Sequence, residues 1–229
     1  MRIAEIDLIR ELPLFREMAQ ENFDKLTEAA LLQRFPARVD LVQEGMLPDF
    51  LHVVVEGRVE LFARHNGRET TIDILGPMTT FILAAVVRDE PYLKSARSLS
   101  DARILMIPAE AVREIFGRDG AFARAVVNEL AARYRSIVRA LKNEKQRTSC
   151  ERLANWILKA DAQQGGTGKI TFAYDKRTLA SQLGMSPENL SRNLSLLAKH
   201  GVRSSSRGLT IENAAELRTF AQPTPLIDG

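Results

Sequence analysis

Three side chains near residue 190 have the types and spacing that read a base pair. Glu188, Ser191 and Arg192 recur at i, i+3 and i+4, so on a helix they share one face. A carboxylate there accepts from cytosine N4, and a guanidinium forks onto guanine or a phosphate. The surrounding residues supply the helix. Ser186 is a good N-cap, Pro187 suits the first helical position, and Leu190, Leu194 and Leu197 repeat at helical spacing. Upstream, Leu179, Ala180 and Leu183 mark the buried face of a short preceding helix. Gly184 follows where a left-handed turn residue costs least. Two helices joined by a Gly-containing turn of this length describe a helix-turn-helix, whose second helix enters the major groove. The alternative is an αα-corner with a polar outer face.

The charge distribution favours DNA. The 229 residues carry a net charge of +3, and residues 148–229 hold 10 Lys/Arg against 7 Asp/Glu. The first 147 residues hold 22 of each, so the excess lies with the helix-turn-helix. Lys176, Arg177, Lys199 and Arg207 are assigned to backbone phosphates, with a solvated face as the alternative. Other classes fall away. No apolar run approaches the about 20 residues that span a bilayer, and the first residues lack a signal-peptide layout. One cysteine, Cys150, makes no intramolecular disulfide and no zinc or iron–sulfur ligand set. There is no paired nucleophile and base, Gly-rich phosphate loop or metal-ligand cluster, so no enzyme is expected. The expected compartment is the cytoplasm.

The elements that must position this site read as follows. Residues 5–33 look helical, broken at Pro13. From Phe35 to Ile107, short segments at 51–55, 59–62, 71–75 and 104–107 read as strands of an antiparallel barrel or jelly roll. Asn66-Gly67 is a hairpin signal. A short helix at 108–117 precedes a long one at 121–145. The long helix carries an apolar stripe at Phe122, Val126, Leu130, Tyr134, Ile137 and Leu141. That stripe packs on its own barrel or pairs with a second copy; dimerisation is expected, because a helix-turn-helix that reads a palindrome needs a two-fold partner. Residues 142–149 read as a polar hinge and 150–162 as a helix. A flexible loop at 163–168, a strand at 169–172 and a hairpin at 204–211 complete a winged helix. The expected fold is α+β: an N-terminal β-roll with flanking helices over residues 1–120, a dimerisation helix and hinge over 121–147, and a winged helix-turn-helix over 148–229.

This order of parts resembles the CRP/FNR family of bacterial transcription regulators, over about residues 14–211. Glu44-Gly45 with Leu51-His52-Val53-Val54-Val55-Glu56-Gly57-Arg58-Val59 resembles the first hairpins of a cyclic-nucleotide-binding roll. Gly76-Pro77-Met78-Thr79-Thr80-Phe81 through Lys94-Ser95-Ala96-Arg97 resembles its phosphate-binding cassette. Cys150-Glu151-Arg152-Leu153-Ala154-Asn155-Trp156-Ile157-Leu158 with residues 178–197 resembles the DNA-binding domain. Glu188-Asn189-Leu190-Ser191-Arg192 is similar to the FNR-type pattern Glu-x-x-Ser-Arg; the catabolite-activator type has an Arg in place of Pro187 and a Gly in place of Ser191. The resemblance implies a dimer on a TTGAT-N4-ATCAA operator, with Glu188 and Arg192 on base edges and Ser191 on a base or its methyl. It also implies an activator that recruits RNA polymerase. After Gly201 the run Val202-Arg203-Ser204 is more polar than the family's wing.

The effector pocket implied by the resemblance comprises Phe81, Ala84, Lys94, Ser95, Ile137 and Val138. The family's ribose-binding Glu falls on Ala84, its phosphate-binding Arg on Lys94, and its adenine-binding positions on Ile137 and Val138. A lysine keeps the charge and loses the fork, so cyclic AMP is not expected. The cysteine-bound iron–sulfur cluster of the oxygen-sensing members is excluded by the lone Cys150. What remains is similar to the DNR/NnrR-like branch, in part through Asp89-Glu90-Pro91-Tyr92. That branch responds to nitrogen oxides and implies haem. The axial candidates are His52, His65, Cys150, the methionines and the tyrosines, and no spacing selects one. His200 is read beside a helix C-terminus or a phosphate. Arg147 and Arg152 beside Cys150 raise a redox role, against a half-buried helix cysteine as the simpler reading. Two other functions stay open: a cyclic-nucleotide-binding module acting through protein partners, and a ligand-independent, constitutive regulator.

Overall fold

Strands form where β-branched and leucine side chains cover both faces of a short segment. The structure, a computed structural model, describes residues 3–205 and 208–229. Helices α1 (Ile3–Arg10) and α2 (Gln20–Ala29) lead into β1 (Leu31–Phe35), β2 (Asp40–Val42), β3 (Phe50–Glu56), β4 (Val59–His65), β5 (Arg68–Leu75) and β6 (Thr79–Phe81). Helix α3 (Leu83–Arg88), strands β7 (Ser95–Ser98) and β8 (Ala102–Pro108), and helices α4 (Ala109–Arg118) and α5 (Gly120–Gln146) follow. The strands make two antiparallel sheets, ordered β1-β8-β3-β6 and β2-β7-β4-β5. Leu51, Val53, Val59, Leu61, Leu75, Ile104 and Ile107 belong to one buried core. The β4–β5 hairpin turns at Asn66 and Gly67, with φ of 49° and 73°. That is the type I′ geometry for which Asn-Gly is favoured.

The expected helix over 5–33 is corrected at its end. Residues 31–35 are β1, because pairing with β8, Leu32 opposite Leu105, overrides a weak local preference. Strands β2, β6 and β7 have three or four residues each, too few to show an alternation.

Helix α5 starts at a shared carboxylate. Asp119 accepts from the Ala121 and Phe122 amides at 3.0 Å, and from the Ala19 amide and Asn22 Nδ2 at 2.9 Å. One side chain therefore caps α5 and holds the start of α2.

The apolar stripe of α5 divides in two. Phe122 and Val126 are 0% exposed within the roll's own core, and Leu130 packs partly against it. The expected placing of Phe122 and Val126 at a dimer seam is thus corrected: the roll already covers them. Tyr134, Ile137 and Leu141 are 68%, 64% and 53% exposed. With Val127, also exposed, and Leu130 they follow a 3-4-3-4 spacing, the heptad seam of a coiled coil.

Compact packing divides the chain within α5, one unit reaching Arg133 and the other comprising Tyr134–Gly229. Helix α5 continues through residues 142–146, which corrects the hinge that their polarity predicts over 142–149. Their polarity marks a solvated face, and the break is confined to Arg147 and Thr148.

The second unit has its own core. It contains α6 (Ser149–Gln163), β9 (Lys169–Thr171), α7 (Lys176–Gln182), α8 (Pro187–Leu197), a 3-10 turn (Ala198–His200), β10 (Val202–Ser204), β11 (Gly208–Ile211), α9 (Ala214–Ala221) and α10 (Pro225–Asp228). A capping box of Thr148 and Glu151 starts α6. The strands pair antiparallel in the order β10-β11-β9, which makes the wing. Among the described residues, no helix is long and apolar enough to cross a membrane.

Candidate DNA interface and sensor roll

The two helices expected over 178–197 are α7 and α8. Asp175 caps α7 by accepting the Thr178 amide at 2.8 Å, and Ser186 caps α8 by accepting the Asn189 amide at 3.2 Å. Gly184 turns the chain at φ 64°, and a Cβ there would meet the Glu144 carboxylate at 2.9 Å. Leu179, Ala180, Leu183, Leu190, Leu194 and Leu197 are buried with Leu153 and Ile157 of α6 and Leu217 of α9. With that face filled, Glu188, Ser191 and Arg192 are left exposed together on α8.

The electrostatics suit base reading. The Ser186 hydroxyl, the residue's own amide and the nearby Arg192 hold the Glu188 carboxyl below the usual range. At neutral pH it is ionised and purely an acceptor, which the cytosine amino group requires. The Ser191 hydroxyl donates to the Pro187 carbonyl at 3.1 Å, leaving an oxygen lone pair and its Cβ outward. Of the residues assigned to phosphates, Arg177 and Lys199 are exposed. Lys176 is half-buried, its ammonium 5.6 Å from the centre of the Phe172 ring. Arg207 lies outside the described residues. His200 stacks on Phe220 at 4.3 Å with Nδ1 3.6 Å from Glu216, so an internal carboxylate faces it.

The turn is braced from beneath by residues that periodicity does not flag. Arg152 is buried, and its guanidinium donates to the carbonyls of Leu183 (3.1 Å), Gly184 (3.4 Å) and Arg147 (3.0 Å), with Glu144 at 3.3 Å. Arg147 forks onto Asp228 at 2.6 and 2.7 Å. Both arginines are therefore committed, and neither lowers the Cys150 thiol. Burial, with Glu151 nearby, pushes that thiol up, which removes the basis for a redox role.

In the roll, the expected pocket residues take different roles. Phe81 is buried and stacks on His52 at 5.0 Å. The Ser95 hydroxyl accepts the Glu44 amide at 3.0 Å. Ala84 is exposed on α3. Lys94 is half-buried; burial pushes its amine down, Asp73 opposes that shift, and Arg133 adds to it. The nearby guanidiniums are occupied. Arg97 bonds Glu60 at 2.7 Å and Glu69 at 2.5 Å, and Arg133 bonds Glu129 at 3.1 Å and the Thr80 carbonyl at 3.2 Å. Ile137 and Val138 belong to the second unit and are exposed on α5.

Of the axial candidates, His52, His65 and Cys150 do not fit a haem in the roll as arranged. His52 is buried between Phe81 and Phe50, its Nδ1 donating to the Phe50 carbonyl at 3.1 Å. His65 is exposed at a hairpin turn, and Cys150 lies in the other unit. Among the described residues, no cluster of three His, Cys, Asp or Glu could hold a metal ion.

Comparison with known proteins covers both units. Residues 32–119 match the cyclic nucleotide-binding domain model, and residues 151–220 match the Crp-like helix-turn-helix domain model. The chain belongs to the CRP/FNR family. The Cyclic AMP receptor protein of Thermus thermophilus is 29% identical over 191 residues, 83% of this chain and 87% of that protein. A solved regulatory protein from Silicibacter pomeroyi is 27% identical, with a TM-score of 0.62 over 97% of this chain and 100% of that one. FixK2 from Bradyrhizobium japonicum, at 20% identity, shares the fold, with a TM-score of 0.73 over 83% of this chain and 96% of that one. CRP/FNR members are transcription regulators and not enzymes, in line with the absence of catalytic motifs.

Proposed function

We propose that this CRP/FNR protein is a cytoplasmic homodimer that reads a TTGAT-N4-ATCAA-like palindrome and activates transcription by recruiting RNA polymerase. In this reading it answers to an effector other than cyclic AMP. The observation that carries the DNA reading is the capped, buried-backed helix α8 with Glu188, Ser191 and Arg192 exposed on one face. Replacing Glu188 or Arg192 by Ala should cost about 1–3 kcal/mol at a single base pair of each half-site and relax the preference there. Affinities across a panel of single-base operator variants check this. An equal loss on every duplex would instead make the contact a phosphate one.

The dimer reading rests on the heptad spacing of Val127, Leu130, Tyr134, Ile137 and Leu141, of which all but the half-buried Leu130 are exposed. An effector that repacks such a seam reorients two recognition helices.

The ligand named for the Thermus relative does not carry over. Ala84 offers no acceptor for a ribose hydroxyl, Lys94 has no fork, and Arg97 and Arg133 are already bonded. Unpaired polar groups of a bound nucleotide would each cost about 1–3 kcal/mol. Cyclic AMP at millimolar concentration should leave both the melting temperature and the operator affinity unchanged. Ligand-induced stabilisation by nucleotide would contradict this. Haem followed by nitric oxide is the second addition to test, since the DNR/NnrR resemblance implies it.

A further inference from the structure

One polar side chain stands on the buried face of the recognition helix. Asn193 lies between Leu190, Leu194 and Leu197 and is 4% exposed. Its Nδ2 donates to the Ser149 hydroxyl at 3.0 Å and lies 3.6 Å from the Met185 sulfur. One turn earlier, Asn189 Nδ2 reaches the same hydroxyl at 3.4 Å. Ser149 opens α6, directly after the Thr148–Glu151 capping box and the Arg147–Thr148 break. The Cys150 thiol donates to the Asn193 carbonyl at 4.0 Å, on the same side of α8.

We propose that Asn193, with Asn189, is a positioning residue for base reading: the two amides on Ser149 fix the rotation of α8 about its own axis. This rests on the assignment of Glu188 and Arg192 to base edges. The pins alternate with the readers, since Asn189 directly follows Glu188 and Asn193 directly follows Arg192.

The physical reason lies in what leucines do not provide. An apolar face is non-directional and tolerates sliding, whereas a hydrogen bond fails beyond a few tenths of an ångström. At the about 5–6 Å radius of helical side chains, a 10° rotation moves a tip by about 1 Å. That is enough to break a bidentate base contact. For stability the amide gives little: desolvating it offsets the bonds it makes, and a well-packed apolar replacement of such a pair is close to neutral. A second amide on the same hydroxyl is therefore best explained by direction.

The test compares operator discrimination with stability in full-length protein. Wild type, Asn193→Leu, Ser149→Ala, the double variant and Ser149→Thr are titrated by fluorescence anisotropy. The duplexes are TTGAT-N4-ATCAA and the same duplex with the G·C pair of each half-site replaced by A·T. Melting temperatures are measured in parallel. Asn193→Leu leaves the half-exposed Ser149 hydroxyl to water, so its melting temperature should change little while its discrimination falls by about tenfold, the equivalent of one weakened base contact. Ser149→Ala should lose a similar factor, the double variant no more than either, and Ser149→Thr should retain the wild-type ratio. Unchanged discrimination in a folded Asn193→Leu protein overturns the pin and leaves the reading of Glu188 and Arg192 intact. A fall in melting temperature with discrimination preserved makes the pair purely structural. The titrations use the state in which wild type binds most tightly among protein as purified, after haem, and after haem with nitric oxide. No discrimination by wild type in any of the three overturns the base reading and the pin with it.

Discussion

Replacing Ile137 and Leu141 together by glutamate should leave a folded monomer that holds a palindromic operator about 10²–10⁴-fold less tightly than the dimer. Both side chains are more than half exposed, and glutamate is a good helix former. Exposed substitutions of this kind stay within about 0.5 kcal/mol in the isolated chain. In a coiled-coil seam the same change puts four carboxylates at a closed apolar contact, where unpaired charge is not tolerated. Without the seam each half-site is bound singly, and the gain from tethering the second recognition helix disappears. Sedimentation and operator titration check the two halves of the expectation. A dimer that survives the substitution would move the interface elsewhere. Glutamate at Phe122 or Val126 should act differently: both are fully buried in the roll, so those variants should fail to fold and report nothing about assembly.

A second large effect is expected in acid. Burial pushes the His52 imidazole down to about 4 from 6.5, partly offset by its bond to the Phe50 carbonyl. Between those values the unfolded chain binds a proton at His52 that the native roll refuses. Stability therefore rises with pH across this window and is lost as pH falls through it. Refusing that proton corresponds to about 3 kcal/mol of stability, lost as pH falls from 6.5 to about 4. His52→Gln keeps a donor for the Phe50 carbonyl and does not titrate. Its unfolding free energy, followed by denaturant titration from pH 4 to 7, should lack this part of the slope. An identical slope in both proteins would show that His52 reaches solvent in the native state.

How much was legible follows the strength of each local signal. The Asn66-Gly67 hairpin and the Ser186-Pro187 helix start were readable because a backbone geometry demands those residues. The exposed triad of α8 was readable because leucine spacing fixes the opposite face. Strands β2, β6 and β7 were not, since three or four residues are shorter than the pattern that identifies a strand. In the sequence the α5 stripe is continuous, because spacings of four and three follow each other through Leu130. Burial separates the roll-facing Phe122 and Val126 from the heptad that Val127 begins, and that heptad spacing was present in the sequence. Arg152, Asn193 and Asp228 act through partners 31, 44 and 81 residues away, a separation that no periodicity encodes. Asn193 alone left a trace, as a polar residue on a leucine face.

The measurement closest to the central claim is fluorescence anisotropy of a TTGAT-N4-ATCAA duplex against a duplex with both half-sites scrambled. It is run at fixed salt with the protein as purified, after haem, and after haem with nitric oxide. The account predicts a preference for the palindrome of about 10³-fold or more in at least one of these states. Equal affinity for the two duplexes in all three would contradict base reading by Glu188, Ser191 and Arg192.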